Sequence, residues 1–164
     1  MLEDKIISVN KLARLLPALK KSGKRIVFTN GCFDLLHYGH VKYLQEARRK
    51  GDILIVGLNS DSSIRKIKGP KRPLVGEKER LRVLAGLESV TYAVLFSQAT
   101  PLNIISVLKP DILIKGADWH KDRIVGSDIV KSYGGKVLRI KVVKGLSSTN
   151  LIKKIAKSFS RNRD

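Results

Sequence analysis

The most constraining feature of this 164-residue chain is an alternation of short apolar runs, rich in β-branched residues, with stretches of helical spacing. Residues 25–29, 53–58, 93–96, 112–115 and 136–143 read as strands buried on both faces, since apolar residues continue without polar alternation. Between them, 40–50, 77–87, 101–108, 127–133 and 149–158 read as helices. Val41 with Leu44, and Leu81 with Leu84, supply the spacing of a core-facing stripe. Five strands alternating with helices predict an α/β fold: a mostly parallel sheet with helices on both faces. Ligands of such sheets gather beyond the carboxyl ends of the strands, near the point where strand order reverses.

No internal repeat or long linker divides the chain, so one domain over residues 1–164 is expected. It opens with a helical segment in residues 1–22, where Leu12, Leu15, Leu16 and Leu19 are apolar and Pro17 interrupts the middle. A polar, frayed tail is expected at 159–164. Acidic Glu3 and Asp4 in a start without an apolar core argue against a secretory signal. No apolar run reaches the ~20 residues of a membrane span. A lone Cys32 precludes an internal disulfide and fits a reducing compartment, so a cytoplasmic protein is expected. Against 14 acids stand 33 Lys and Arg, a formal charge of +19. That excess suggests a polyanionic partner, with nucleic acid the first to weigh.

The first strand turns into Thr29-Asn30-Gly31-Cys32-Phe33-Asp34-Leu35-Leu36-His37-Tyr38-Gly39-His40 before a helix. His37 and His40, three residues apart at a helix start, can face the same way. The unpaired amides of that start attract phosphate. Gly39 between them lets a triphosphate approach the backbone. Two histidines without a third convergent ligand argue against zinc, and no protein-built metal site is expected. The segment 65–72, with Arg65, Lys66, Lys68 and Arg72, reads as a mobile basic loop over phosphates, because Gly69 and Pro70 forbid a helix interior. Asn59 and Asp61 at the end of the second strand, and Lys115, Gly116 and Asp118 at the end of the fourth, face the same crevice. Ser147, Ser148 and Thr149 precede the last helix. They offer hydroxyls and amides to phosphates, or simply cap that helix. Arg80, opening another helix, is a candidate to reach the triphosphate or an ordinary surface arginine.

The run from Gly31 to His40 resembles the signature of the cytidylyltransferase-like nucleotidyltransferases, which implies a Rossmann-like sheet. Lys68-Gly69-Pro70-Lys71-Arg72-Pro73, Lys115-Gly116-Ala117-Asp118, Gly134-Gly135-Lys136-Val137 and Gly145-Leu146-Ser147-Ser148-Thr149 are similar to the adenylyltransferases of ADP-heptose synthesis. The resemblance spans residues 24–155, with Ala117 and Trp119 where that branch more often has Gly and Tyr. It implies transfer of AMP from ATP, with Mg2+, to a heptose 1-phosphate. It further implies catalytic roles for His37, His40 and Lys68. Cys32 and Phe33 would contact the nucleotide through their backbone, and Asp34 would orient a histidine or help hold magnesium, unless it is a turn carboxylate. Lys144 is a guess for the cation that replaces an arginine of some relatives. Because relatives commonly dimerise, a homodimer is implied. The acceptor phosphate, with a second pKa near ~6, needs no general base, so the missing catalytic carboxylate pair is no objection. A cytidylyltransferase or FMN adenylyltransferase is the nearest alternative. A non-catalytic RNA-binding module is a third reading, disfavoured because aromatics make up only 5% and offer few stacking platforms.

Overall fold

The computed structural model describes residues 1–143 and 145–160. Among them, five strands form one sheet: β1 (Ile26–Gly31), β2 (Ile53–Asn59), β3 (Tyr92–Phe96), β4 (Ile112–Gly116) and β5 (Lys136–Ile140). Every pairing is parallel, in the order β3-β2-β1-β4-β5. The expected sheet is therefore present, wholly rather than mostly parallel.

Strand residues alternate between two apolar layers, as the pleat requires. Ile26, Phe28, Ile55 and Leu113 pack on one face with Leu12 and Leu16 of α1 (Val9–Lys21), Ile104, Ile105 and Leu108 of α5 (Leu102–Leu108), and Val130 of α6 (Ser127–Ser132). Val27, Leu54, Val56 and Ile114 pack on the other with Leu44 and Ala47 of α2 (Tyr38–Arg48) and Leu84 and Ala85 of α4 (Glu77–Ala85). The opening segment folds as α1, capped by Ser8, and Pro17 is accommodated inside it on the exposed side.

Three expectations need correction. Residues 61–68 are helical, forming α3 (Asp61–Lys68), with Ser60 accepting from the Ser63 amide at 3.1 Å and Ile64 fully buried. The basic segment is thus a helix through Lys68, stopped by Gly69 at φ 90°, and not one loop. β5 ends at Ile140, since it pairs residue for residue with β4 and β4 ends at Gly116. Residues 141–143 lie beyond the sheet. The last helix, α7 (Ser148–Ser160), extends through Phe159 and Ser160, which were assigned to the tail; 161–164, like Lys144, lie outside the described residues.

The order places the reversal of strand sequence between β1 and β4. Their ladder registers two pairs, Val27↔Ile112 and Phe28↔Leu113, against six between β1 and β2. The carboxyl ends of β1 and β4 therefore part, and a cleft of about 480 Å³ opens above them.

Candidate active site

The turn after β1 sets one side of this cleft. His37 is the N-cap of α2, in extended backbone, and Phe33 adopts φ +44°. A left-handed aromatic residue is costly and tends to mark functional turns. The two imidazoles stack with centroids 3.9 Å apart, and the Phe33 ring meets His40 edge-on at 5.2 Å. The His37 backbone N–H donates to His40 Nδ1 at 3.4 Å. A neutral His40 therefore carries its proton on Nε2. Both ring nitrogens of His37 are buried and, beyond the capping-box approach of the His40 amide, have no hydrogen-bond partner among the described residues. Buried polar atoms are seldom left so, and this pair faces a cleft that can supply a partner. Gly39 is required for close packing: a Cβ there would lie 3.0 Å from the His37 ring and 3.3 Å from Leu146.

A second helix start lies beside the first. Ser147 caps α7, accepting from the Asn150 amide at 3.0 Å, and the Ser148 hydroxyl donates to the Leu35 carbonyl at 3.0 Å, tying the two helix starts together. Ser147, Ser148 and Thr149 all line the cleft, so capping and an anion-facing position coexist here. Lys68, at the last position of α3, lines it as well.

Burial lowers the pKa of His37. His40 is pushed down to about 4, first by burial, then by the charges of His37 and Lys68. Without a ligand both rings are neutral at pH 7. A histidine with a depressed folded pKa stabilises the fold fully above its unfolded value near 6.5. That contribution is lost as pH falls toward the folded value, because the unfolded chain binds the proton more readily. An arriving triphosphate reverses the local field and raises both pKa values. MgATP binding at pH 6 is therefore expected to take up protons. Calorimetry in buffers of different ionisation enthalpy measures this, and a heat independent of buffer would show that the imidazoles do not face the phosphates.

The strand ends form the floor. Lys115 is only 7% exposed, and its Nζ donates to Asn30 Oδ1 at 2.5 Å and to the Asn30 carbonyl at 3.2 Å. The Trp119 ring lies 5.4 Å from that ammonium. Asp118 folds back over Gly116, whose lack of a Cβ leaves room for that carboxylate, and both residues line the cleft. Cys32 and Phe33 line the cleft beside Asn30, and Asn59 borders it with Nδ2 bonded to Ser63 Oγ at 2.9 Å.

Three expected site residues have other tasks. Asp34 accepts from the amides of Leu74 (2.7 Å) and Val75 (3.1 Å) and pairs with Arg72. It pins the 72–75 segment above the first turn while lining the cleft, and its hydrogen-bond partners are these groups and not a histidine. Arg72 is correspondingly locked, not part of a mobile phosphate loop. Arg80 is 2% exposed: it donates to the carbonyls of Val75, Cys32 and Asn59 and pairs with Asp61 at 2.7 Å. Arg80 and Asp61 thus stand behind the cleft wall. Asp61 borders a separate hollow between α3 and α4.

Sequence reasoning missed Tyr43, whose hydroxyl hydrogen-bonds Thr29 Oγ1 at 2.8 Å beneath the cleft. Its position three residues after His40 was the available signal. The apolar wall of Pro101, Val125, Val142 and Val143 was also missed.

A parallel sheet with two adjoining helix starts and a stacked histidine pair over its switch point is the arrangement that the resemblance of residues 31–40 implies. The sequence profile of the cytidylyltransferase-like family matches residues 28–161, and the chain belongs to that family. It is 54% identical over 157 residues to the bifunctional protein HldE of Geobacter sulfurreducens, covering 96% of this chain and 32% of that protein. The bifunctional protein HldE of Pelobacter propionicus is 53% identical over 158 residues, again covering 96% and 32%. The chain spans about a third of the length of these curated relatives. Among solved structures, a lipopolysaccharide core biosynthesis protein from Thermoplasma volcanium superposes with a TM-score of 0.64 at 30% identity, over 74% of this chain and 100% of that one. A pantoate-β-alanine ligase from Francisella tularensis shares the fold alone, with a TM-score of 0.60 at 16% identity, over 93% of this chain and 78% of that one. Among the described residues, no helix is long and apolar enough to cross a membrane.

Proposed function

We propose that the chain transfers AMP from ATP to a heptose 1-phosphate, giving an ADP-heptose and pyrophosphate. The observation that carries this reading is the orphaned His37 imidazole stacked on His40, set between the starts of α2 and α7. An ionised oxygen of the sugar phosphate attacks the α-phosphorus of ATP. The new P–O bond forms as the bond from that phosphorus to the bridging oxygen breaks, and pyrophosphate leaves with the electron pair. No proton transfer is required, so the residues act by alignment and charge neutralisation. His37 and His40 donate to oxygens of the reacting phosphates, the amides of both helix starts hold the β- and γ-phosphates, and Lys68 adds a cation beside His40.

Among the described residues no group of three His, Cys, Asp or Glu could hold a metal ion, and Asp34 is already bonded. In this reading magnesium arrives with the substrate, as MgATP. The heptose assignment draws on the resemblance of residues 24–155 and on the identity to the HldE proteins. A cytoplasmic homodimer completes the proposal, on the family resemblance.

Pyrophosphate release should be measured with ATP and with CTP across heptose 1-phosphate, hexose 1-phosphates, glycerol 3-phosphate and FMN. ATP with the heptose phosphate is the expected productive pair. No turnover with any sugar 1-phosphate would refute the proposal, and a preference for CTP or FMN would reassign the substrate.

A further inference from the structure

We infer that Lys115 binds the phosphate of the acceptor sugar, leaving the triphosphate of ATP to the helix starts. The inference rests on the proposed reaction and assigns one residue of its acceptor subsite.

The observation is a buried cation without an anion. Lys115 is 7% exposed at the end of β4, yet no carboxylate lies within 4.0 Å of its Nζ among the described residues. The two other cations buried around the site are both paired, Arg72 with Asp34 and Arg80 with Asp61. Desolvating an ammonium is costly unless an opposite charge meets it. Among the described residues its hydrogen-bond and ring partners are the neutral amide and carbonyl of Asn30 and the face of Trp119, and the Asp118 carboxylate acts on it only from beyond ion-pair distance. An ammonium has three N–H donors, and Asn30 engages two of them. The third remains for the cleft that Lys115 lines.

Position selects the acceptor. The charges that act on His40 come from His37 and Lys68, whereas Lys115 is influenced by Cys32 and Asp118. Lys68 ends α3 beside His40, whereas Lys115 ends β4 on the cleft floor. The triphosphate is met by the joined helix starts, where unpaired amides and imidazoles lie. In an in-line displacement the entering oxygen approaches opposite the leaving pyrophosphate. Lys115 rises from the floor between the parted ends of β1 and β4, where that approach begins. The Trp119 indole face lies 5.4 Å from the ammonium.

Burial lowers the Lys115 pKa to about 8, with Cys32 and Asp118 opposing the shift. Acceptor binding should accordingly weaken above pH 8, as the free enzyme loses this cation.

The test titrates heptose 1-phosphate by calorimetry into enzyme loaded with a non-hydrolysable ATP analogue, in wild type, Lys115→Met and Lys115→Arg. Lys115→Met is expected to weaken sugar-phosphate binding about 10- to 100-fold while affinity for the analogue stays within about threefold. Lys115→Arg, which stays charged, should restore most of the affinity and carry its plateau past pH 8. Thermal melting of each variant reports its folding, since Lys115 also bridges β1 and β4. Parallel loss of analogue affinity would place Lys115 on the nucleotide and overturn the inference. Unchanged sugar-phosphate affinity in Lys115→Met, or no binding by wild type, would overturn it too. Binding by wild type without turnover would refute the proposed reaction and leave the Lys115 assignment standing.

Discussion

Replacing His40 with alanine is expected to lower kcat by about 10²- to 10³-fold, the loss typical of one preorganised donor to a developing charge. Among the described residues, the ring and hydrogen-bond partners of the His40 side chain are the Phe33 and His37 rings and the His37 amide. The variant should therefore melt close to wild type. Its proton uptake on MgATP binding should fall, because one of the two depressed imidazoles is gone. Steady-state kinetics beside a melting curve separates the outcomes. Retained turnover in a folded variant would remove His40 from the chemistry, and lost turnover with a collapsed melt would make its role structural.

For Arg80 the expectation is the reverse. Arg80→Met removes donors to three carbonyls and leaves Asp61 without its partner. Breaking such a buried arrangement costs about 3–5 kcal/mol. For a chain of this size, that lowers the melting temperature by roughly 6–20 °C. Arg80→Lys should also melt early, since an ammonium cannot reproduce the guanidinium fork. A direct triphosphate contact would give a different result: Arg80→Lys would raise the KM for ATP with little change in melting. That outcome would return Arg80 to the active site.

The basic charge takes on a narrower meaning in the structure. Of the Lys and Arg side chains, only Lys68 and Lys115 line the cleft among the described residues. Arg72 and Arg80 hold the surrounding loops, and Arg65 faces the separate hollow between α3 and α4. Most of the +19 therefore lies away from the cleft, and the charge by itself did not identify the ligand.

Much of the architecture was legible because it depends on period and spacing. Continuous β-branched runs can be satisfied only inside a sheet covered on both sides, and helices between them force parallel strands. The spacing of His37, Gly39 and His40 at a strand-to-helix turn placed both imidazoles at one helix start, since three residues are nearly a full turn. α3 was overlooked because five of its eight residues, Asp61, Ser62, Arg65, Lys66 and Lys68, are charged or polar and exposed or half-buried, and Ile64 alone anchors its apolar side. The roles of Asp34, Asp61, Arg72 and Arg80 were not legible. Each carboxylate is satisfied by a partner 19 or 38 residues away, and no local pattern encodes such a distance.

The sequence by itself determined the layered α/β fold and the paired histidines, because periodicity and helix-end chemistry are local properties; the strand order, and with it the switch point, came from the structure. Only the tertiary structure decided which charges are free to meet a ligand. Arg72 and Arg80 are neutralised by carboxylates, Asp34 is bonded to the 72–75 segment, and Lys115 is buried against Asn30 and an indole face with no carboxylate at ion-pair distance among the described residues. The physical reason is desolvation. The cost of burying a charge depends on what packs against it, and in this protein those neighbours come from distant parts of the chain.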